Sequence, residues 1–452
     1  MTSQRQEGGP RRGSAAGAAA AWASLLLLGG TAACVGTGDG EGGASAAGPV
    51  GDLRPVSLAA GPGSGQPRFA EGPDGTLVLS WLRPDGDGHE LVFSELGPDG
   101  WGAARLAARG PDFFVNWADV PSVVPLGGGR FAAHWLEKTG DSPYAYGVRM
   151  ALSDDGGESW TPPVTPHADR SPTEHGFVSL LPAPGRGVRA VWLDGRKLAS
   201  DAGRRAAGHG GTVSGDGDAD GDGPAATGPE MTLRSAVVEP DGTVRSRDLV
   251  DGRVCDCCQT SAAVTPGGPL VVYRDRSAGE VRDIAAARLG QGGWRSSGRI
   301  HPDGWTLEAC PVNGPAVDAR RDTVAVAWFT AAGERPRVLV AHSLDGGAGF
   351  GAPVTVDGDD PLGRVDVALL PGGDALVSWL ARAADGDGAA VRMRRVAPDG
   401  RIGGTSTVTT TSASRAAGFP RIAVRGDRVL VAWTDPTGEG RLRIVEGRLG
   451  GS

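Results

Sequence analysis

The most reactive groups in this chain are four cysteines in two short segments: Cys255, Cys257 and Cys258 in CDCCQTS, and Cys310 in ACPVNGP. Outside the cytoplasm an even set of thiols ordinarily oxidises, so the first expectation is a disulfide from Cys310 to one of the trio. Cys257 and Cys258 are adjacent, however, and a vicinal disulfide is strained. That keeps two other chemistries open: a thiolate site for a soft metal, copper or zinc, with His301 nearby, and a redox pair. The CDCC spacing is not the paired CxxC knuckle of a zinc ribbon. No other cofactor is indicated.

Arginines and carboxylates recurring at one place in a repeated unit supply the second chemistry. Arg68, Arg274, Arg276, Arg364 and Arg421 are candidate ligand-binding residues, because a guanidinium holds a planar anion through two parallel hydrogen bonds. The opposing reading is that inward Arg and Asp pair with each other and plug a channel. Asp119, Glu137, Glu174 and Asp275 are the candidate catalytic carboxylates. They would need to stand about 5 Å apart for a retaining glycosidase, or roughly 6.5 to 9.5 Å for an inverting one. A serine-hydrolase reading has no G-x-S-x-G elbow to support it.

The elements that must position these groups repeat along the chain. Trp81, Trp135, Trp192, Tyr273, Trp328, Trp379 and Trp433 each end an alternating apolar run, at spacings of 54, 57, 81, 55, 51 and 54 residues. Strand patterning with a period near 54 predicts an all-β fold, a single β-propeller of four-stranded antiparallel blades. Seven repeats are counted, with a six-bladed form as the alternative. The fifth repeat divides into strands at 311–318, 323–328, 337–343 and 352–356, and its Val324, Val326 and Trp328 oppose small residues on the other face. The last repeat lacks a fourth strand, and Arg54 to Ala60 (RPVSLAA) matches the fourth-strand segment Gly102 to Ala108 (GAARLAA). An N-terminal strand is therefore expected to close the ring. The long third spacing reflects an insertion at about 200–229, whose alternating Asp216, Asp218, Asp220 and Asp222 begin like a calcium loop. Thr227 stands where such a loop needs its bidentate Glu, so the segment reads as a solvated, disordered acidic loop.

Ser153, Asp155, Gly157, Ser159 and Trp160 fit the Asp-box pattern S-x-D-x-G-x-[ST]-W, and Ser343, Asp345, Gly347 and Phe350 form a looser copy. Both read as structural fasteners of a hairpin, with Asp accepting backbone N–H bonds, Gly left-handed and the aromatic tucked beneath. With these boxes, residues 66–450 resemble the sialidase-like superfamily of bacterial neuraminidase repeat propellers. Sialidases of that kind hold a sugar carboxylate with three arginines, and use a Tyr paired with Glu as nucleophile and an Asp as acid/base. Arg68, before Gly75-Thr76-Leu77, matches the first arginine in place, though not in motif. The chain has only three tyrosines, Tyr144, Tyr146 and Tyr273, and none lies in a late repeat where the family nucleophile belongs. Its CDCC and CPVNGP segments resemble an uncharacterised bacterial lipoprotein subgroup.

Residues 1–33 read as an export signal, with Arg11 and Arg12 before an apolar run ending at Thr31-Ala32-Ala33-Cys34. The segment resembles a lipoprotein signal in which Cys34 is lipidated; ordinary secretion and a retained anchor are alternatives. Residues 34–52 form a Gly-rich tether and 53–450 the propeller. The formal net charge of −8 provides no cationic surface for nucleic acid. The expectation is a monomeric, exported, membrane-anchored lipoprotein that meets the membrane only through its lipid and binds a glycan or cell-envelope protein without sialidase catalysis. An exo-α-sialidase or related glycosidase, and a thiolate metal or redox module, are the alternatives.

Overall fold

The computed structural model describes residues 48–199, 230–383, 388–437 and 440–450. Cys34, the expected signal, residues 34–47 of the tether and the insertion at about 200–229 lie outside them. No helix among the described residues is long and apolar enough to cross a membrane.

Seven antiparallel sheets follow one another along the chain. Their inner strands are Gly65–Glu71, Ser122–Gly127, His175–Pro182, Ser261–Thr265, Ala316–Arg320, Pro361–Leu369 and Arg421–Arg425. Seven separate apolar clusters join blade 1 to 2, 2 to 3 and onward to 7 and back to 1, so the ring is closed by packing at every interface. Alternation in the second strands explains how one strand serves two neighbours. In blade 5, Val324, Val326 and Trp328 pack towards Leu270 and Val272 of blade 4, whereas Ala325 and Ala327 face Val365 and Val367 of blade 6. Large residues on one face and small ones on the other let wedge-shaped sheets fan around a centre.

All seven repeat aromatics are buried. Three of them also tie blades together through a polar atom. Tyr273 donates its hydroxyl to Asp251 of the preceding blade (2.7 Å), and the Trp328 and Trp379 indoles donate to Asp303 (2.7 Å) and Asp357 (2.5 Å). A buried indole N–H without a partner would lose its bond to water, so the carboxylate at the edge of the previous sheet fixes the packing geometry.

Ring closure uses the N-terminal strand, in a different register from that expected. Val50–Pro55, rather than 54–60, pairs antiparallel with Arg441–Leu449. Beyond Pro55 only Val56 N–H reaches Ile444, and Leu58 and Ala60 turn into the interface between blades 7 and 1. The closing strand therefore begins within the last residues read as tether. Blade 2 keeps only three regular strands, Ser122–Gly127, Arg130–Lys138 and Tyr146–Ser153. Its fourth position is filled by Thr161–Thr165, which forms one β-bridge, at Val164, and a further bond from Thr161 N–H to the Leu152 carbonyl, because Pro162, Pro163 and Pro166 have no N–H to offer.

Both Asp boxes behave as fasteners. Asp155 accepts the Ser153 and Ser159 hydroxyls and the Ser159 N–H, Gly157 is left-handed (φ 82°), and the Trp160 indole stands edge-on to Phe93. In the second copy Asp345 accepts Ser343 Oγ and the N–H groups of Ala348 and Gly349, and Phe350 packs against the cluster between blades 4 and 5.

Candidate functional site

Inner strands of a propeller have one edge without a sheet neighbour, and their N–H groups need acceptors. Side chains of adjoining blades supply them. Ser80 Oγ accepts Val123 N–H, Ser261 Oγ accepts Val317 N–H, Asp318 accepts Leu369 N–H at 2.7 Å, and Asp366 accepts Ile422 N–H at 2.9 Å. Asp318 and Asp366 also bond the N–H groups of Ala319 and Val367. Most of the carboxylate oxygens facing the centre are thus committed to backbone.

The guanidiniums are not. A central cavity of about 570 Å³ is lined by residues of every inner strand, Arg68, Ser122, Ser179, Ser261, Asp318, Asp366 and Arg421 among them. Arg421 is buried, its Nη1 lies 3.8 Å from Asp366 Oδ1, and its Nε and Nη2 have no hydrogen-bond partner. The Arg68 side chain has none among the described residues. Burial lowers the Arg68 pKa to about 10, the charge of Arg421 lowers it further and that of Asp366 opposes the shift. Burial also lowers Arg421. Nearby, His134 accepts or donates at Ser122 (3.0 Å), and burial drives its pKa down to about 3, leaving it neutral. Glu71 and Arg320, 3.7 Å apart, complete the charged lining. The centre therefore carries a surplus of hydrogen-bond donors, not acceptors.

The other candidate arginines are built into the scaffold. Arg274 donates to the carbonyls of Asn313, Arg282 and Phe329 and lies over the Trp305 ring. Arg364 donates to Ser414, Gly418 and Ala413 carbonyls and stacks on Trp117 at 4.9 Å; burial lowers its pKa to about 10. It lines a separate cavity of about 210 Å³ together with Cys310 and Arg415. Arg276 pairs with Glu280 and Asp256. Of the five arginines, only Arg68 and Arg421 meet.

The candidate carboxylates lie elsewhere than the cavity lining. Asp119 and Glu174 flank the Tyr146 hydroxyl, at 3.3 and 2.5 Å. Burial raises Asp119 to about 8 and Glu174 to about 7. Asp119 also accepts Phe177 N–H at 2.7 Å, and Tyr146 stacks on Phe114 with ring centroids 3.8 Å apart. Tyr146 is buried, so this group joins blades 2 and 3. Glu137 accepts the Trp135 indole and pairs with Arg149; Asp275 accepts Arg276 N–H.

The cysteines come together as the repeat predicts, without a bridge. All four are free thiols, which corrects the expectation of a disulfide from Cys310. Cys255, Cys257 and Cys258 hold their sulfurs within 4.8 Å of one another, Cys255 and Cys258 at 3.5 Å, and Cys310 contacts Cys257. Arg282 Nη1 donates to Cys255 Sγ at 3.2 Å. His301 instead bonds Asp303. The surrounding motif is a cross-brace. Gln259 donates to Ala118 carbonyl and accepts Gly314 N–H, and a Cβ on Gly314 would stand 2.2 Å from the Gln259 carbonyl oxygen, so that position requires glycine.

Asp366, Ser179 and their placement were missed in sequence, although a signal existed. Gly65-Gln-Pro-Arg68, Gly176-Phe-Val-Ser179, Gly363-Arg-Val-Asp366 and Gly418-Phe-Pro-Arg421 each end on a residue that lines the cavity. In the first, second and third of these a left-handed residue, Gln66, Phe177 or Arg364, makes a bulge that re-aims the strand.

No protein-family model matches this chain, and no curated protein sequence does. In fold it is similar to a protein of unknown function from Dyadobacter fermentans DSM 18053 (14% identity, TM-score 0.48, covering 88% of this chain and 99% of that one). It is also similar to the NanB sialidase from Streptococcus pneumoniae (10%, 0.44, 82% and 83%) and to a GH93 α-L-arabinofuranosidase of Fusarium graminearum (11%, 0.45, 87% and 97%).

Proposed function

We propose that this protein is a binding propeller whose central cavity captures a carboxylate-bearing sugar of the cell surface, without hydrolysing it. One observation carries the reading: two N–H-bearing nitrogens of Arg421, buried and unpartnered, stand in the same cavity as an Arg68 that also has no hydrogen-bond partner. Leaving charged donors buried and unmet costs stability, and a bidentate carboxylate would satisfy both guanidiniums. Serine hydroxyls at 122, 179 and 261 suit sugar hydroxyls, and Val124, Val178 and Ala262 suit the C–H faces of a ring. The volume is in the range of small-ligand sites. The Tyr146–Glu174 pair, the nearest counterpart of a sialidase nucleophile, is not among the residues lining this cavity, which favours binding over catalysis. An export signal with lipid on Cys34 would keep the ring outside the cytoplasm; the mass of the mature chain, with and without Cys34→Ser, tests that part.

The binding test is calorimetric titration with N-acetylneuraminate and glucuronate against neutral sugars of equal size. The acids are expected to bind and the neutral sugars not, with Arg68→Ala and Arg421→Met each weakening binding at least about tenfold. Release of product from a fluorogenic sialoside, lost in Arg68→Ala, would replace this reading with an exo-sialidase.

A further inference from the structure

We propose that Cys255, Cys257 and Cys258 form a trigonal copper(I) site, and that the exposed Cys310 is the residue through which the metal enters and leaves. The three sulfurs already lie within 4.8 Å of one another, close enough for one ion to touch all three. Among the described residues no His, Asp or Glu joins that group, so the donor set there is all sulfur and three-fold. A buried three-thiolate, low-coordinate site suits a soft monovalent ion, whereas a structural zinc site is closed by four protein ligands and a three-ligand one keeps an open position for water. Three thiolates around one monovalent cation leave a net negative charge, and Arg282, donating to Cys255 at 3.2 Å, supplies the nearest positive charge.

Burial grades the sulfurs into a path. Cys310 is exposed and lines the cavity of about 210 Å³, Cys257 is half-buried and contacts Cys310, and Cys255 and Cys258 are buried. Metal would pass from Cys310 to Cys257 by ligand exchange and then gain the two inner sulfurs. As each copper–sulfur bond forms, the S–H proton leaves to solvent, and when the bond to Cys310 breaks its sulfur takes a proton back from solvent. Copper remains monovalent throughout, so no oxidant or reductant takes part. The brace around Gln259 and Gly314 and the Arg274 bonds to Asn313 hold the two cysteine segments in this relation.

The test uses the whole mature chain, isolated without reductant and then titrated anaerobically with copper(I) supplied as its bicinchoninate complex. The expected result is one copper taken per chain, with X-ray absorption reporting sulfur-only coordination. Cys258→Ser should weaken binding at least about a hundredfold. Cys310→Ser, or alkylation of Cys310 in the folded protein, should keep the stoichiometry and slow release to an external chelator. Should Cys258→Ser fail to fold, the wild-type titration and the alkylation result still decide. The proposal is overturned if the freshly isolated chain has fewer than four titratable thiols among these residues, or if the chelator keeps the copper. It is overturned equally if zinc binds in a way that requires Cys310 as a fourth ligand.

Discussion

The Tyr146 hydroxyl donates to Glu174 Oε1 at 2.5 Å while Asp119 Oδ2 lies 3.3 Å from the same oxygen. Burial holds protons on the two carboxyls that the unfolded chain gives up, and the Tyr146 hydrogen bond opposes that rise without cancelling it. Asp119 rises from 3.8 to about 8 and Glu174 from 4.5 to about 7, burial being the largest cause in each. For acids with raised folded pKa values the stabilisation is full below the unfolded values and is lost as pH climbs through the folded ones. Thermal unfolding should therefore show Tm falling from about pH 4, near the unfolded values, to about pH 8 and levelling off beyond, and Asp119→Asn should flatten that fall. A Tm that rises across the window, or an unchanged slope in the variant, would contradict the assignment.

Closure of the ring depends on Val50–Pro55. A Cβ at Gly447 would sit 2.6 Å from Val50 Cγ1 and 2.8 Å from Gly51 O. Gly447→Ala is expected to cost about 1–3 kcal/mol, the usual range for overpacking, and removal of residues 48–55 should expose the edge of Arg441–Leu449 and cause aggregation. Denaturant unfolding and light scattering measure the two effects. A deletion variant that stays monomeric with unchanged unfolding would show that the seventh blade needs no fourth strand.

Arg274 and Arg421, both buried, should respond oppositely to the same change. Arg274→Met strands the carbonyls of Asn313, Arg282 and Phe329 and should cost about 3 kcal/mol or more. Arg421→Met removes two nitrogens, Nε and Nη2, that have no partner and a long 3.8 Å ion pair to Asp366, whose two oxygens keep their backbone N–H donors, so the free protein should hold its stability or gain about 1–2 kcal/mol. Urea unfolding of the two variants makes the comparison; equal losses would mean that Arg421 is also a scaffold residue.

The contrast between these arginines marks where sequence ceased to be informative. The repeat spacing of the aromatics predicts the blades because packing is periodic, and Val324, Val326 and Trp328 fall on the face their alternation indicates. Proximity of Cys310 to the CDCC segment follows from the same periodicity. What a buried arginine donates to is set by the loop carbonyls of neighbouring blades, and nothing in the local sequence of Arg274 distinguishes it from Arg421. The closing strand shifted for a similar reason: RPVSLAA has strand character throughout, but Pro55 ends the ladder and Leu58 and Ala60 find an apolar interface. The Tyr146 group was illegible because Asp119, Tyr146 and Glu174 meet only after two blades pack.

The most direct measurement is a crystal structure of the protein soaked with N-acetylneuraminate. The carboxylate is predicted to lie between the Arg68 and Arg421 guanidiniums, within hydrogen-bond distance of both, with Arg421 Nε and Nη2 among its donors. Ligand bound at another face, or a central cavity that holds only water at concentrations where calorimetry reports binding, would contradict the account.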